Sequence, residues 1–432
     1  MPGAEEGRAY GRGTAILSAG IGATGLVTYG YFALASHSLS ESEYGGITLL
    51  WSAVFITVSV LYRPVEQLLS RTIAEREATG AGGSRHLRVA ATIQLALGVL
   101  FVLAALLLRD RIEDDLFEGS TTLYTVLVVT VLAYAVSYFA RGYLAGSRRL
   151  GLYGALVLME SGSRILFALA VAVGIASGQS VVALGIAAAP IASLAIVPFA
   201  LRSMPRAKPS EPPPAGDAPP AEAEFTLAHG SGFAMAVLGI MVAEQTFLNA
   251  GPLLVKATEG ASGAALAGFT FNVLLIARAP LQLFQAVQTS ILPHLTRLGA
   301  RGETDPFRRS VNVTLLAIAG FAAVVALVML AVGPAVMDVV FGGDFEYDRA
   351  GLLLISLGMG FYLAAATLNQ ALLARGRASE ACGAWLAAAA TFVIFLVAID
   401  FEDRVLQVEV AYLGGALMLS ALLLALYRRD HA

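Results

Sequence analysis

The chain has 432 residues and a formal net charge of −3; 57% of it is hydrophobic, 14% is charged, and its mean hydropathy is +0.74. A soluble chain of this length is about half apolar and a quarter charged, so the balance excludes an ordinary soluble domain and points to a membrane protein. The basic residues are almost all Arg, with lysines only at Lys208 and Lys256, and no basic block would serve nucleic acid. One cysteine, Cys382, excludes an intrachain disulfide and a Cys-based metal cluster, and it reads as a packed small hydrophobe.

Apolar runs long enough to cross about 30 Å of hydrocarbon as helices fall at 14–36, 44–69, 89–108, 121–144, 151–176 and 181–201. They resume at 225–256, 261–295, 311–333, 350–373, 380–399 and 407–427. In the first run, Arg8 and Arg12 precede Ala33-Leu34-Ala35, which resembles a signal-peptide site; its length and the many spans behind it predict an uncleaved helix. Between the two sets, Arg202 to Glu224 contains Pro-Pro-Pro and Pro-Pro and reads as a flexible linker. The expected fold is therefore an all-α membrane protein of twelve transmembrane helices. Two six-helix bundles, 1–201 and 225–432, flank the Pro-rich linker 202–224. Pro252 and Pro280 mark expected kinks.

Orientation follows from the Arg/Lys bias of short loops. With the N-terminus inside, the inner segments of the first half carry Arg8, Arg12, Arg71, Arg76, Arg85, Arg88, Arg148, Arg149, Arg202, Arg206 and Lys208. Those of the second carry Arg297, Arg301, Arg308, Arg309, Arg375, Arg377, Arg428 and Arg429. Outside fall only Arg109, Arg111, Lys256, Arg349 and Arg404. The expectation is a multi-pass protein of the cytoplasmic (inner) membrane with both termini cytoplasmic.

The halves are weakly similar in a constant order. Arg63-Pro64 with Gln67 pairs with Arg278, Pro280 and Gln282, and Asp114 to Gly119 pairs with Asp338 to Gly343. Leu144 to Arg149 pairs with Leu372 to Arg377. Repeats with an even number of spans are related by an axis along the membrane normal and rock about a central cavity, which points to a transporter.

Four arginines lie inside spans, where charge is costly unless it faces a partner or a cavity. Arg141, near a helix end, is expected to snorkel, and Arg164 to pair with Glu160 four residues earlier. Arg63 and Arg278 sit on polar stripes: Ser59, Arg63, Glu66, Gln67 and Ser70 on helix 2, and Arg278, Gln282, Gln285 and Thr289 on helix 8. Either these stripes glue the bundle, with Glu66 neutralising Arg63, or they line a water-filled cavity whose guanidinium forks receive an anionic headgroup. Glu244, with Gln245 and Asn249, is a candidate for a coupling proton or sodium ion, or a partner for one of the arginines. The acidic outer loops lack the ordered spacing of a calcium loop and read as solvated connectors. No bound cofactor is expected.

The pattern resembles the MOP exporter superfamily (multidrug, oligosaccharidyl-lipid and polysaccharide exporters), with the polysaccharide and O-antigen flippases as the nearest branch. The resemblance is carried by Arg63-Pro64 with Gln67, Arg141-Gly142-Tyr143 through Arg149 and Tyr153, and Ala277-Arg278-Ala279-Pro280 through Pro293. Phe341-Gly342 and the six-plus-six organisation also carry it. It implies a flippase moving polyprenyl-diphosphate-linked sugars by alternating access, among membrane lipids and beside polysaccharide-assembly enzymes. Substrate-binding residues would then be Arg63, Gln67, Arg278, Gln282 and Gln285. The related lipid II flippase adds a cavity arginine on helix 1, which is absent here. The alternative within the superfamily is a cation-coupled multidrug and toxin exporter, which Glu244 suits and the arginines oppose. A membrane glycosyltransferase or polymerase would need paired carboxylates beside a span or a large outer loop, and the sequence has neither.

Overall fold

A computed structural model describes residues 22–79, 84–147, 149–196, 227–260, 263–278, 304–342, 346–399 and 401–429, together with 20 and 198. The linker 202–224 and the stripe residues Gln282, Gln285 and Thr289 lie outside the described residues, as does Pro280.

The apolar runs become helices because hydrocarbon offers backbone groups no partner but one another. The first half holds α1 (22–38), α2 (Glu41–Leu61), α3 (Arg63–Thr79), α4 (Arg85–Leu107), α5 (Thr121–Gly146), α6 (Leu150–Ala172) and α7 (Gln179–Ser193). The second holds α8 (Leu227–Glu259), α9 (Gly263–Arg278), α10 (Thr304–Phe341), α11 (Arg349–Ala374), α12 (Ala378–Ala398) and α13 (Arg404–Arg429). Among the described residues ten helices are long and apolar enough to cross a membrane, α2 and α3 counting as one. The chain is a multi-pass α-helical membrane protein.

Several starts are capped from within the sequence. Ser40 and Glu43 form a reciprocal capping box on α2, and Ser120 accepts from Leu123 N–H on α5. Asp348 accepts from Ala350 and Gly351 at α11, and Asp403 from Val405 and Leu406 at α13. All four caps lie on connections at the same end of the bundle, where the chain turns back into it.

The interior is more polar than the rim. On α4 the exposed side chains include Leu95, Leu103, Leu106 and Leu107, and on α10 Leu316, Leu327 and Val339, whereas Glu160, Arg164, Gln245 and Asn249 are buried. Water would penalise that arrangement, and lipid rewards it. At 38 residues α10 is about 57 Å long, far more than the bilayer core, so its polar first turns extend beyond the run read from hydropathy.

Helix 2 breaks at Tyr62, one residue before Arg63-Pro64. Pro64 lacks a donor and crowds the carbonyl four residues back, so the helix resets there. The expected kink site Pro252 instead lies within the uninterrupted α8. In the first half α5 packs on α2, α3 and α7; in the second α11 packs on α10 and α13, and α12 on α8 and α13. The halves meet where α2 runs against α8 and α9.

Candidate substrate cavity

Between the halves lies a cavity of about 450 Å³. From the first half, α2 and α3 present Trp51, Phe55, Ser59, Arg63, Glu66 and Gln67, a single stripe at steps of three and four. Tyr134, Tyr138 and Arg141 follow the same spacing on α5, and Tyr153, Glu160, Ser161 and Arg164 come from α6. The second half contributes Gln245, Leu248 and Asn249 from α8, and Leu275 and Arg278 from α9. Arg63, Gln67 and Arg278 thus lie on the walls of one cavity, while Ser70 does not line it.

The charges pair differently from expectation. Glu160 binds Arg141 in an ion pair and accepts from the Ser137 hydroxyl at 2.5 Å. Arg141 therefore points into the cavity rather than snorkelling, with its guanidinium 4.6 Å from the centre of the Tyr138 ring. Arg164, the expected partner of Glu160, donates to the Tyr134 hydroxyl at 3.2 Å and lies 4.5 Å from the Trp51 ring. Spacing of four residues allowed the local pair, but the carboxylate turns across to α5 where a second donor, Ser137, is waiting. Glu66 accepts from the Tyr153 hydroxyl at 2.9 Å. Gly142 makes this possible, because a Cβ there would come within 2.8 Å of the Glu66 carbonyl and push α3 off α5.

Arg63 has no hydrogen bond among the described residues; Glu66 and Glu244 act on it electrostatically. Arg278 donates to the Leu248 carbonyl and stacks 4.5 Å over Phe271. Glu244 is half-buried and does not line the cavity; its neighbours Gln245 and Asn249 do, bonded to each other at 2.9 Å. Reading the sequence for charges missed the aromatic walls. The signal was present in the spacing of Trp51, Phe55, Ser59 and Arg63, and of Tyr134, Tyr138 and Arg141.

At the end carrying the capped connections the two halves are locked together. Lys256 of α8, 2% exposed, forms a 2.6 Å ion pair with Glu118 of the first half. Tyr44 of α2 donates to Asn272 of α9, which donates in turn to the Tyr347 hydroxyl at 3.2 Å. Gly45 lets the helices touch: a Cβ there would sit 1.9 Å from the Ala264 carbonyl oxygen. Deeper in, Tyr29 of α1 donates to the Leu275 carbonyl. The cavity runs away from this closed end toward Gln67, which is exposed. Glu118 thus does more than the solvated connector expected of its loop.

No protein-family model matches the chain, and no curated protein sequence does. Solved structures match over nearly its whole length. A point mutant of the Vibrio cholerae MATE transporter VcmN superposes with a TM-score of 0.65 at 14% identity, covering 98% of this chain and 97% of that one. An inward-facing multidrug resistance MATE family transporter of the MOP superfamily gives 0.65 at 13% identity, covering 94% of each chain. The fold is a MATE fold. The outward-facing conformation of a multidrug resistance MATE family transporter of that superfamily matches less well, at 0.59 with 15% identity and 98% and 95% coverage.

The MATE fold corrects the expected polysaccharide and O-antigen flippase branch: the three structures named above are MATE transporters, two of them multidrug resistance transporters of the MOP superfamily. The lipid-linked sugar substrate and the polysaccharide-assembly partners fall with it. The Arg63-Pro64 motif marks a helix break and a cavity charge in this chain, and neither feature specifies the substrate.

Proposed function

We propose that this protein is a cation-coupled secondary exporter of small molecules of the multidrug and toxin type, acting without covalent chemistry. The observation that carries the reading is the full-length superposition on MATE transporters, at a TM-score of 0.65. A cavity of about 450 Å³ at the junction of the halves supports it, since that volume suits a drug-sized ligand.

In this reading twelve helices form two bundles, 1–201 and 225–432, joined by the linker 202–224 and related by a pseudo-two-fold along the membrane normal. The Arg-poor end with Glu118 and Lys256 is periplasmic, both termini are cytoplasmic, and the state described is inward-facing. Export then requires the Lys256–Glu118 and Tyr44–Asn272 contacts to part while the cytoplasmic ends close. Glu244 is the candidate for the coupling proton or sodium ion: it belongs to the second half, yet its charge acts on Arg63 of the first. Neutralising it by ion binding changes an attraction between the two moving bodies.

The test is reconstitution into vesicles with an imposed proton or sodium gradient, followed by efflux of fluorescent aromatic probes of either charge. Gradient-dependent efflux of at least one probe is expected. Absence of gradient-dependent movement for every probe would refute the exporter reading.

A further inference from the structure

We infer that the cavity selects small aromatic anions, such as planar carboxylates or sulfonates, over organic cations; the inference rests on the exporter reading above. The walls carry four arginines, Arg63, Arg141, Arg164 and Arg278, against two carboxylates, Glu66 and Glu160. Pairing does not remove the excess. Glu160 is spent on Arg141. Glu66, hydrogen-bonded by the Tyr153 hydroxyl, offsets one further charge beside Arg63 and Arg141, and Glu244, which acts on Arg63, stands outside the lining, so the arginines of the lining still outnumber its carboxylates by two.

Arg63, Arg164 and Arg278 form no ion pair among the described residues. Arg164 spends a donor on a neutral hydroxyl and Arg278 spends one on a backbone carbonyl. Their Nε–H groups are buried without any acceptor, and Arg63 has no hydrogen bond at all among the described residues. Donors left unmade at low dielectric are costly, and an anion is the ligand that satisfies them; a cation would add like charge in the same medium. A guanidinium pairs with a carboxylate or sulfonate through parallel charge-assisted bonds.

The remaining lining fixes the rest of the ligand. Trp51, Phe55, Tyr134 and Tyr138 offer faces and edges to a flat ring. The cavity size admits a one- or two-ring molecule rather than a lipid-linked oligosaccharide. An anion also gains from the membrane itself, because an inside-negative potential drives it outward.

The chain has two tryptophans, and Trp51 lines the cavity while Trp385 does not. Trp385→Phe in the full-length protein therefore leaves a single reporter in the site. Quenching of Trp51 by 1-naphthalenesulfonate is expected at a Kd at least tenfold below that for N-methylquinolinium, a cation of similar size. Arg63→Gln and Arg278→Gln should each raise the sulfonate Kd about tenfold or more and leave the quinolinium Kd equal or lower. Arg63 makes no hydrogen bond among the described residues, so Arg63→Gln carries the test if Arg278→Gln fails to elute as a monodisperse species. In vesicles, an inside-negative potential set with potassium and valinomycin should speed sulfonate efflux severalfold. Tighter quinolinium binding, or a sulfonate Kd unchanged in Arg63→Gln, overturns the anion inference; if quinolinium is then exported on a gradient, the exporter reading stands without it. If neither probe quenches Trp51 and none of the wider probe set moves, both fall.

Discussion

The pair between Arg141 and Glu160 offers the most quantitative check on the cavity, because both partners are out of water, at 12% and 4% side-chain exposure. Glu160→Gln keeps the shape and keeps an oxygen for the Ser137 hydroxyl, so it removes little but the charge. Arg141 is then a buried cation left with the Tyr138 and Tyr134 rings and the field of Glu66. Stranding one member of a buried pair costs about 3–5 kcal/mol, and the nearby Glu66 places this case at roughly 3 kcal/mol. Arg141→Met alone strands Glu160 in the same way and should cost a similar amount. The double variant strands neither, so it should lie within about 1–2 kcal/mol of the parent, with a coupling energy of several kcal/mol. The assay is a double-mutant cycle by reversible SDS unfolding in mixed micelles. Single effects that simply add, to within about 0.5 kcal/mol, would mean the two side chains do not pair and that the cavity wall is arranged differently.

The other outcomes concern the closed end and the coupling residue. Lys256→Gln removes an almost fully buried charge from the lock with Glu118. In a Cys382→Ala background, a cysteine at the buried Ala267 should then be alkylated severalfold faster by a reagent added on the side of the closed end; an unchanged rate would show that the ion pair does not hold this end shut. Gly45→Ala puts a methyl group 1.9 Å from the Ala264 carbonyl oxygen, a backbone atom that cannot rotate away. It should lower stability by about 1–3 kcal/mol, measured by thermal unfolding in detergent, and abolish efflux; a wild-type melt would refute the close approach. Glu244→Gln should flatten the dependence of efflux on the proton or sodium gradient while probe binding by Trp51 quenching stays within about twofold. Retained gradient dependence would remove Glu244 from the coupling step.

Several elements were legible in the linear sequence because their cause is local. Hydropathy placed some helices to within a few residues, as at 121–144 against Thr121–Gly146 and 350–373 against Arg349–Ala374, since each span satisfies its own backbone in lipid, but it missed both ends of Thr304–Phe341. The membrane class came from composition and hydropathy, and polar residues repeating on one face of an apolar run marked Arg63, Gln67 and Arg278 as candidates for a cavity or for contacts between helices; all three line the cavity. Partner choice was not legible. Glu160 had Arg164 on its own helix at favourable spacing, and only the packing of α6 against α5 brought Arg141 and Ser137 closer to its carboxylate. The helix break at Tyr62, the meeting of Gly45 with Ala264, and the Lys256–Glu118 lock equally depend on how helices rotate and cross. Apolar sequence says where a helix meets lipid and carries little record of which neighbour it faces. The branch of the superfamily belonged to that second kind of information: the arginines and the Arg63-Pro64 motif read toward the flippase branch, and the arrangement of the helices in space pointed instead to the MATE fold.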